Sequence, residues 1–317
     1  MFNKSTACNI FSQKVLHWYS HHKRDLPWRK TDINPYHVVV SEFMLQQTQV
    51  PRVMEKFREF TEKFPTIHDL AKTSKADIIQ AWSGLGYNRR ALLLHKFAQV
   101  ICEKYEGNIP GTAEELITLP GIGPYTAGSI ASFAFNKPEP AIDVNVRRIL
   151  YRFFAGKDQG LPGSKQEEEK WYNVVKKTIP NNRSRDLHNA LMDFGSLVCL
   201  RKNPLCSACP LADSCQFFPL YETKKEKVLF VMEKKVEQGV MENGKHIPNR
   251  IFRGRIVEFV RKNEMKEVGI EELGKEIKKD YTTNEEEWLL MLCARLKEEG
   301  FLEYSKKKNK IKLTLAN

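Results

Sequence analysis

The chain has 317 residues, 41% of them hydrophobic, with a formal net charge of +12 and a pI near 9.2. That length admits two domains and a sizeable buried core. No apolar run is long enough to span a bilayer, and Met1 to Ser20 lacks the charged, then apolar, then small order of a signal peptide. An intracellular protein without membrane attachment is expected, cytoplasmic and nucleoid-associated if the source is prokaryotic, and the positive surplus favours a polyanionic partner, because each neutralised phosphate releases counterions.

In chain order, the first 220 residues read as almost wholly helical. Phe11, Val15, Trp18 and Tyr19 recur at i, i+4, i+7 and i+8, one face of an amphipathic helix. Pro27 and Pro35 interrupt the chain before a helix over Val38 to Val50, and helices over Leu70 to Trp82 and Ala91 to Tyr105 are separated by Gly84 and Gly86. Pro120-Gly-Ile-Gly123 is a tight turn, and the small residues Ala127, Gly128 and Ala131 after it suit a closely packed helix. Val146 to Phe154 and Leu187 to Val198 complete the set. Tyr221 to Arg250 reads as a linker with one short strand. Helices over Ile251 to Asn263, Ile270 to Tyr281 and Glu285 to Glu299 then lead into Phe301 to Tyr304, a lysine-rich turn and Ile311 to Leu315. Three helices followed by a β-hairpin predict a small winged-helix-like α+β module. Its basic hairpin either touches DNA, stays solvated or docks a protein.

Of seven cysteines, four crowd into the loop Cys199-x6-Cys206-x2-Cys209-x5-Cys215, while Cys8, Cys102 and Cys293 are scattered. An odd total without a secretion signal argues against a disulfide framework. Four thiolates on one loop, stiffened by Pro204 and Pro210, can wrap a compact metal centre, and the spacing suits structural zinc or an iron–sulfur cluster alike. Because all four ligands are protein groups, no position is left open for substrate.

Three further motifs carry chemistry. In Leu119-Pro-Gly-Ile-Gly-Pro-Tyr-Thr-Ala127 the glycines Gly121 and Gly123 let the backbone turn and approach a partner, and a helix starting at Pro124 would point free amides at a phosphate. An ordinary interhelical turn is the plainer alternative. In Ala141-Ile-Asp-Val-Asn-Val-Arg-Arg148, Asp143 is either a helix N-cap or a carboxylate aimed at a site, and can be both. In Ser41-Glu-Phe-Met-Leu-Gln-Gln-Thr-Gln49, apolar neighbours would raise the pKa of Glu42 and let it hold a proton to donate; a surface Glu is the alternative. Gln46, Gln47 and Thr48 offer donors and acceptors suited to base edges.

These motifs together resemble the helix-hairpin-helix DNA glycosylase superfamily, most closely its MutY-type adenine glycosylases, over roughly residues 5 to 220. The specific pieces are Leu26-Pro-Trp-Arg29, Ser41 to Gln49, Gly84-Leu-Gly-Tyr87, Leu119 to Ala127 and the four-cysteine loop, in matching order. The resemblance implies a mainly α fold: a six-helix barrel domain over 23–135 and a cluster domain from 1–22 and 136–220. The linker over 221–250 and the winged-helix-like module over 251–317 come from the residue pattern and lie beyond the resemblance, which further implies a 4Fe–4S cluster rather than zinc on Cys199, Cys206, Cys209 and Cys215, and a monomer acting on double-stranded DNA that contains a mismatch or an oxidised base.

The resemblance also assigns roles. Glu42 matches the general acid that protonates adenine N7. Asp143 matches the carboxylate that stabilises the sugar cation, with Tyr125 and Asn145 supporting the site. Gln47 and Tyr87 match residues that enter the base stack, and Trp28, Arg29, Leu45, Thr48 and Leu85 match the surface around the adenine or its partner. An acid on the base and an anion near the sugar stabilise both halves of the charge separation in N-glycosidic cleavage, after the base has been flipped out. Tyr125 stands where endonuclease III-like relatives carry a nucleophilic lysine, and a phenol forms no Schiff base, which implies a monofunctional enzyme.

The pattern departs from the family at Val144, where a glycine is usual, and at Asn189, where relatives place Glu or Gln against adenine. It departs most over 221–317, which is too short and too helical for the Nudix-like domain that reads 8-oxoguanine. The alternatives are a thymine or uracil mismatch glycosylase, which lacks the Gln-Gln-Thr-Gln run, a bifunctional lyase, and a non-catalytic iron–sulfur DNA-binding protein.

Overall fold

The computed structural model describes residues 4–30, 32–158, 164–223, 237–263 and 267–317. Residues 224–236 of the expected linker lie outside them. Up to residue 223 the described chain is helical: α1 (Lys4–His22), α2 (Pro35–Leu45), α3 (Val50–Lys63), α4 (Ile67–Lys72), α5 (Lys75–Ala81), α6 (Arg89–Tyr105), α7 (Ala113–Leu116), α8 (Pro124–Phe135), α9 (Val144–Leu150), α10 (Lys165–Thr178), α11 (Ser184–Leu197) and α12 (Phe218–Glu222). Among the described residues no helix is long and apolar enough to cross a membrane.

Three boundaries differ from the sequence pattern, each for a local reason. The helix expected over Val38 to Val50 stops at Leu45, because Gln47 takes a left-handed backbone (φ 59°), and Val50 then opens α3 with Pro51 in its first turn. The helix expected over Leu70 to Trp82 is two helices: Thr66 caps α4 in a capping box with Asp69, and Ser74 caps α5 by accepting from the Asp77 amide. Helix α9 ends at Leu150 and continues as one π-helical turn over Tyr151–Ala155. Sequence reading passed over α3 and α10.

The chain divides into two compact units, Met1–Glu42 with Asn108–Val231, and Phe43–Gly107 with Met232–Asn317. The first is built around α1, α9, α10 and α11. The predicted stripe of α1 is buried there, Phe11, Val15 and Trp18 packing with Val146, Ile149, Trp171, Leu191 and Phe194. Burial of such side chains supplies about 1.5–3 kcal/mol each.

The second unit joins α3–α6 to the C-terminal elements: β1 (Gly239–Glu242) paired with β2 (Lys245–Pro248), α13 (Asn249–Lys262), β3 (Glu267–Gly269), α14 (Ile270–Ile277), α15 (Glu286–Glu298), β4 (Leu302–Lys307) and β5 (Lys310–Leu315). The three helices and final hairpin are as expected, with two additions: β1–β2 is a hairpin where one strand was anticipated, and β3 completes an antiparallel sheet in the order β3-β5-β4. These helices and strands make up a small α+β module. Its core of Phe252, Ile256, Leu273, Leu289, Leu292, Phe301 and Ile311 also takes in Ile79 of α5. The buried Arg261 guanidinium locks that junction, donating to the Ile79 carbonyl at 3.0 and 2.6 Å and to Asn88 Oδ1 at 3.1 Å.

Candidate active site

Glu42 lies in the last turns of α2, 7% exposed. Burial lifts its pKa from 4.5 to about 7, the Asp143 charge adds to the rise, and bonds to Ser129 and Tyr125 and the Arg29 charge oppose it. Ser129 Oγ of α8 donates to Glu42 Oε2 at 2.7 Å. Near neutrality, then, this carboxyl sits at the balance point between holding and losing a proton. Tyr125, in the first turn of α8, is also hydrogen-bonded to Glu42, and burial pushes its phenol well above its ordinary pKa, so it stays protonated.

Asp143 is the N-cap of α9, and it does serve in that role: Oδ1 accepts from the Asn145 and Val146 amides at 2.8 and 2.7 Å. Its second oxygen, Oδ2, accepts from Asn145 Nδ2 at 2.8 Å. Its pKa is raised, because burial outweighs the lowering by these donors and by the Arg148 charge. Asn145 is itself held, its Oδ1 accepting from Arg148 Nη2 at 3.0 Å. Arg148 also donates to the Gly195 and Cys199 carbonyls at 2.7 and 2.9 Å. A Cβ on Gly195 would meet the Asn145 Cβ at 2.9 Å, so a glycine is needed for α9 to approach α11.

Arg29 points inward rather than outward. Its Nη1 donates to both oxygens of the fully buried Asp193, at 2.9 Å each, and Arg24 Nε donates to the same carboxylate at 2.7 Å. Fixed there, Arg29 lends positive potential to Glu42. Trp28 is 9% exposed beside it, and Asn189 is 8% exposed on α11. The hairpin turns at Gly121 (φ 76°), and Gly123 caps α8 with open space where a side chain would be, leaving the start of that helix approachable.

The remaining predicted base-contacting residues fall in the second unit, on two loops joined by one residue that sequence reading missed. Arg90 of α6, 6% exposed, donates from Nη1 to the carbonyls of Phe43, Met44 and Gln46, and from Nη2 to Thr48 Oγ1 and the carbonyls of Leu85 and Gly86, at 2.5–3.1 Å. It thus ends α2 and clamps the 46–48 loop to the 84–87 loop. Gln47 and Tyr87 stand on those loops, exposed and with left-handed backbones (φ 59° and 46°), while Leu45 and Gln46 are half-buried and Leu85 is buried. Backbone carbonyls leave no trace in sequence, so only a charged residue at a helix start could have signalled Arg90. Arg250 of the C-terminal module lies over the Tyr87 ring, 5.8 Å from its centroid.

Cys199, Cys206, Cys209 and Cys215 line one cavity together with Ile149, Phe153 and Phe194. Four thiols converging on one cavity with apolar walls are a donor set that fits an iron–sulfur cluster.

Residues 40–177 match the HhH-GPD superfamily of base excision DNA repair proteins, and residues 199–215 match the iron-sulfur binding domain of endonuclease III. An adenine DNA glycosylase of Mycolicibacterium smegmatis is 39% identical over 204 residues, covering 64% of this chain and 68% of the relative. An adenine DNA glycosylase of Buchnera aphidicola subsp. Schizaphis graminum is 33% identical over 282 residues, covering 81% of this chain and 79% of the relative. For several of the curated relatives the match spans less than two thirds of their length, 58% in another Buchnera glycosylase. The solved structure of a thermostable thymine-DNA glycosylase aligns with a TM-score of 0.63 at 27% identity, covering 68% of this chain and 98% of that one.

Proposed function

Because this chain belongs to the HhH-GPD superfamily of base excision DNA repair proteins, and within it to the adenine DNA glycosylases, we propose that it hydrolyses the N-glycosidic bond of adenine mispaired with guanine or 8-oxoguanine. The observation that carries the reading is the pairing of two buried carboxyls within range of each other's charge. Glu42 is poised at about 7 by burial, and Asp143 is gripped by three N–H donors within the range of its charge.

Glu42 donates its proton to the flipped adenine as the C1′–N9 bond breaks, so the base leaves neutral. The Asp143 carboxylate, oriented by Asn145, stabilises the positive sugar. Water adds hydroxide to C1′ and its proton returns to Glu42. Tyr125 cannot form an imine, so the product is an intact strand with an abasic site. The four cysteines hold a 4Fe–4S cluster, which supplies structure, tying the 199–215 loop to α9 through the Arg148 bond to the Cys199 carbonyl. On this reading 1–22 and 136–220 form the cluster domain, 23–135 the barrel domain with the hairpin and 251–317 an added module, to which the end of the expected 221–250 linker contributes β1, β2 and the start of α13. The substrate is duplex DNA bound by a monomer, contacted through Gln46, Gln47, Thr48, Leu85, Tyr87, Gly121 and Gly123, with Trp28, Leu45 and Asn189 near the base.

The test is a panel of duplexes carrying A, T or U opposite G and 8-oxoguanine, scored for abasic sites after alkali. Release of adenine alone, without strand breaks before alkali, is the expected result. Release of T or U but not A would replace this reading with that of the thymine-DNA glycosylase it resembles in fold.

A further inference from the structure

The segment 140–142, which delivers Asp143 to the site, has neither helix nor strand to hold it. It is pinned from two sides. Against α8, a Cβ on Gly128 would meet the Pro140 carbonyl oxygen at 2.3 Å, so the backbone lies directly on the glycine. Against α11, the Ala141 amide donates to His188 Nε2 at 3.1 Å. His188 is fully buried, and its other nitrogen, Nδ1, lies 2.8 Å from the Ser184 carbonyl, with Ser132 Oγ at 2.9 Å. A carbonyl can only accept and an amide can only donate. The two partners therefore define one neutral tautomer, with the proton on Nδ1 and the lone pair of Nε2 facing Ala141. Burial holds the ring neutral, at a pKa of about 4.

We propose that His188 is a positioning residue for the reaction, setting Asp143 through its bond to the Ala141 amide. This rests on the reading above, in which Asp143 faces the sugar. The geometry makes the side-chain requirement specific. A glutamine amide reaches as far as Nε2 and can accept from Ala141. An asparagine reaches only as far as Nδ1, so it keeps the bond to Ser184 and loses Ala141. A leucine keeps neither.

His188→Gln, His188→Asn and His188→Leu are compared with the native holoprotein in two ways: single-turnover adenine excision at saturating enzyme, and hydrogen–deuterium exchange of a peptide spanning residues 137–145. The Asn and Leu variants are expected to exchange faster in that peptide and to excise about 10- to 100-fold more slowly, the scale of an ångström-level misplacement. Their binding to a duplex with a non-cleavable adenine analogue should be unchanged, and Gln should restore both rate and protection. Unaltered exchange in His188→Asn overturns the inference whatever the enzymology shows, and so does faster exchange with native excision. If the native protein releases no adenine from any duplex, the functional reading falls instead, and the exchange comparison still decides whether His188 holds the segment.

Discussion

Replacing Glu42 by glutamine should inactivate the protein and stabilise it at once, by an amount that grows with pH. The carboxyl titrates at about 7 in the folded chain against 4.5 in the unfolded one. Between those values the folded state keeps a proton that the unfolded state has lost, so stability falls as pH rises, by up to about 1.4 kcal/mol per pH unit. The loss is absent below about pH 4 and complete above about pH 8, where it sums to about 3 kcal/mol. Glutamine carries no charge to desolvate, and its carbonyl can still accept from Ser129 Oγ. Thermal unfolding of the two proteins at pH 4 and pH 8 is the assay. The Glu42→Gln midpoint should lie several degrees higher at pH 8 and nearly coincide at pH 4. An equal gap at both values, or a less stable variant at pH 8, would refute the claim that a buried, titrating carboxyl occupies this position.

Other outcomes follow from the same geometry. Single-turnover excision should fall about tenfold per unit above roughly pH 7 as Glu42 loses its proton, and buffers from pH 6 to 9 would show it. Asp143→Asn should keep DNA affinity within a few-fold while abolishing excision, measured by titration and by abasic-site yield on one duplex. Arg90→Met would remove six hydrogen bonds that join the two loops, and should weaken mismatch binding by tenfold or more with faster hydrogen exchange in both clamped loops. Arg148→Lys should retain iron, measured by metal analysis, yet slow excision, because lysine cannot span Asn145, Gly195 and Cys199 together.

Much of the chemistry was legible in sequence because it depends on side chains of unusual type for their context. Glu42 among valines and phenylalanine, Asp143 before an apolar helix, and four cysteines in one loop each stand out from their neighbours. Their helical setting was legible too, as the buried stripe of α1 shows. What stayed hidden works through the backbone. The end of α2 is set by Arg90 drawing off carbonyls that would otherwise continue the helix, the split of α4 from α5 by single hydroxyl caps, and the course of the 140–142 segment by His188 and by the bare face of Gly128. None of these partners is near its target in sequence except the caps. Arg29, expected around the adenine or its partner, is held by Asp193, a carboxylate some 160 positions away that no local pattern connects to it.

Ile79 is walled in by residues that are translated two hundred codons later. A premature stop before codon 252 would therefore do more than shorten the protein. The buried Ile79 of α5 would lose the core residues Phe252 and Leu289 that share its cluster, and its carbonyl would lose its guanidinium cap. Such a product would be a substrate for cellular proteolysis before it could be a weaker enzyme, so nonsense lesions before that codon should behave as nulls in abundance.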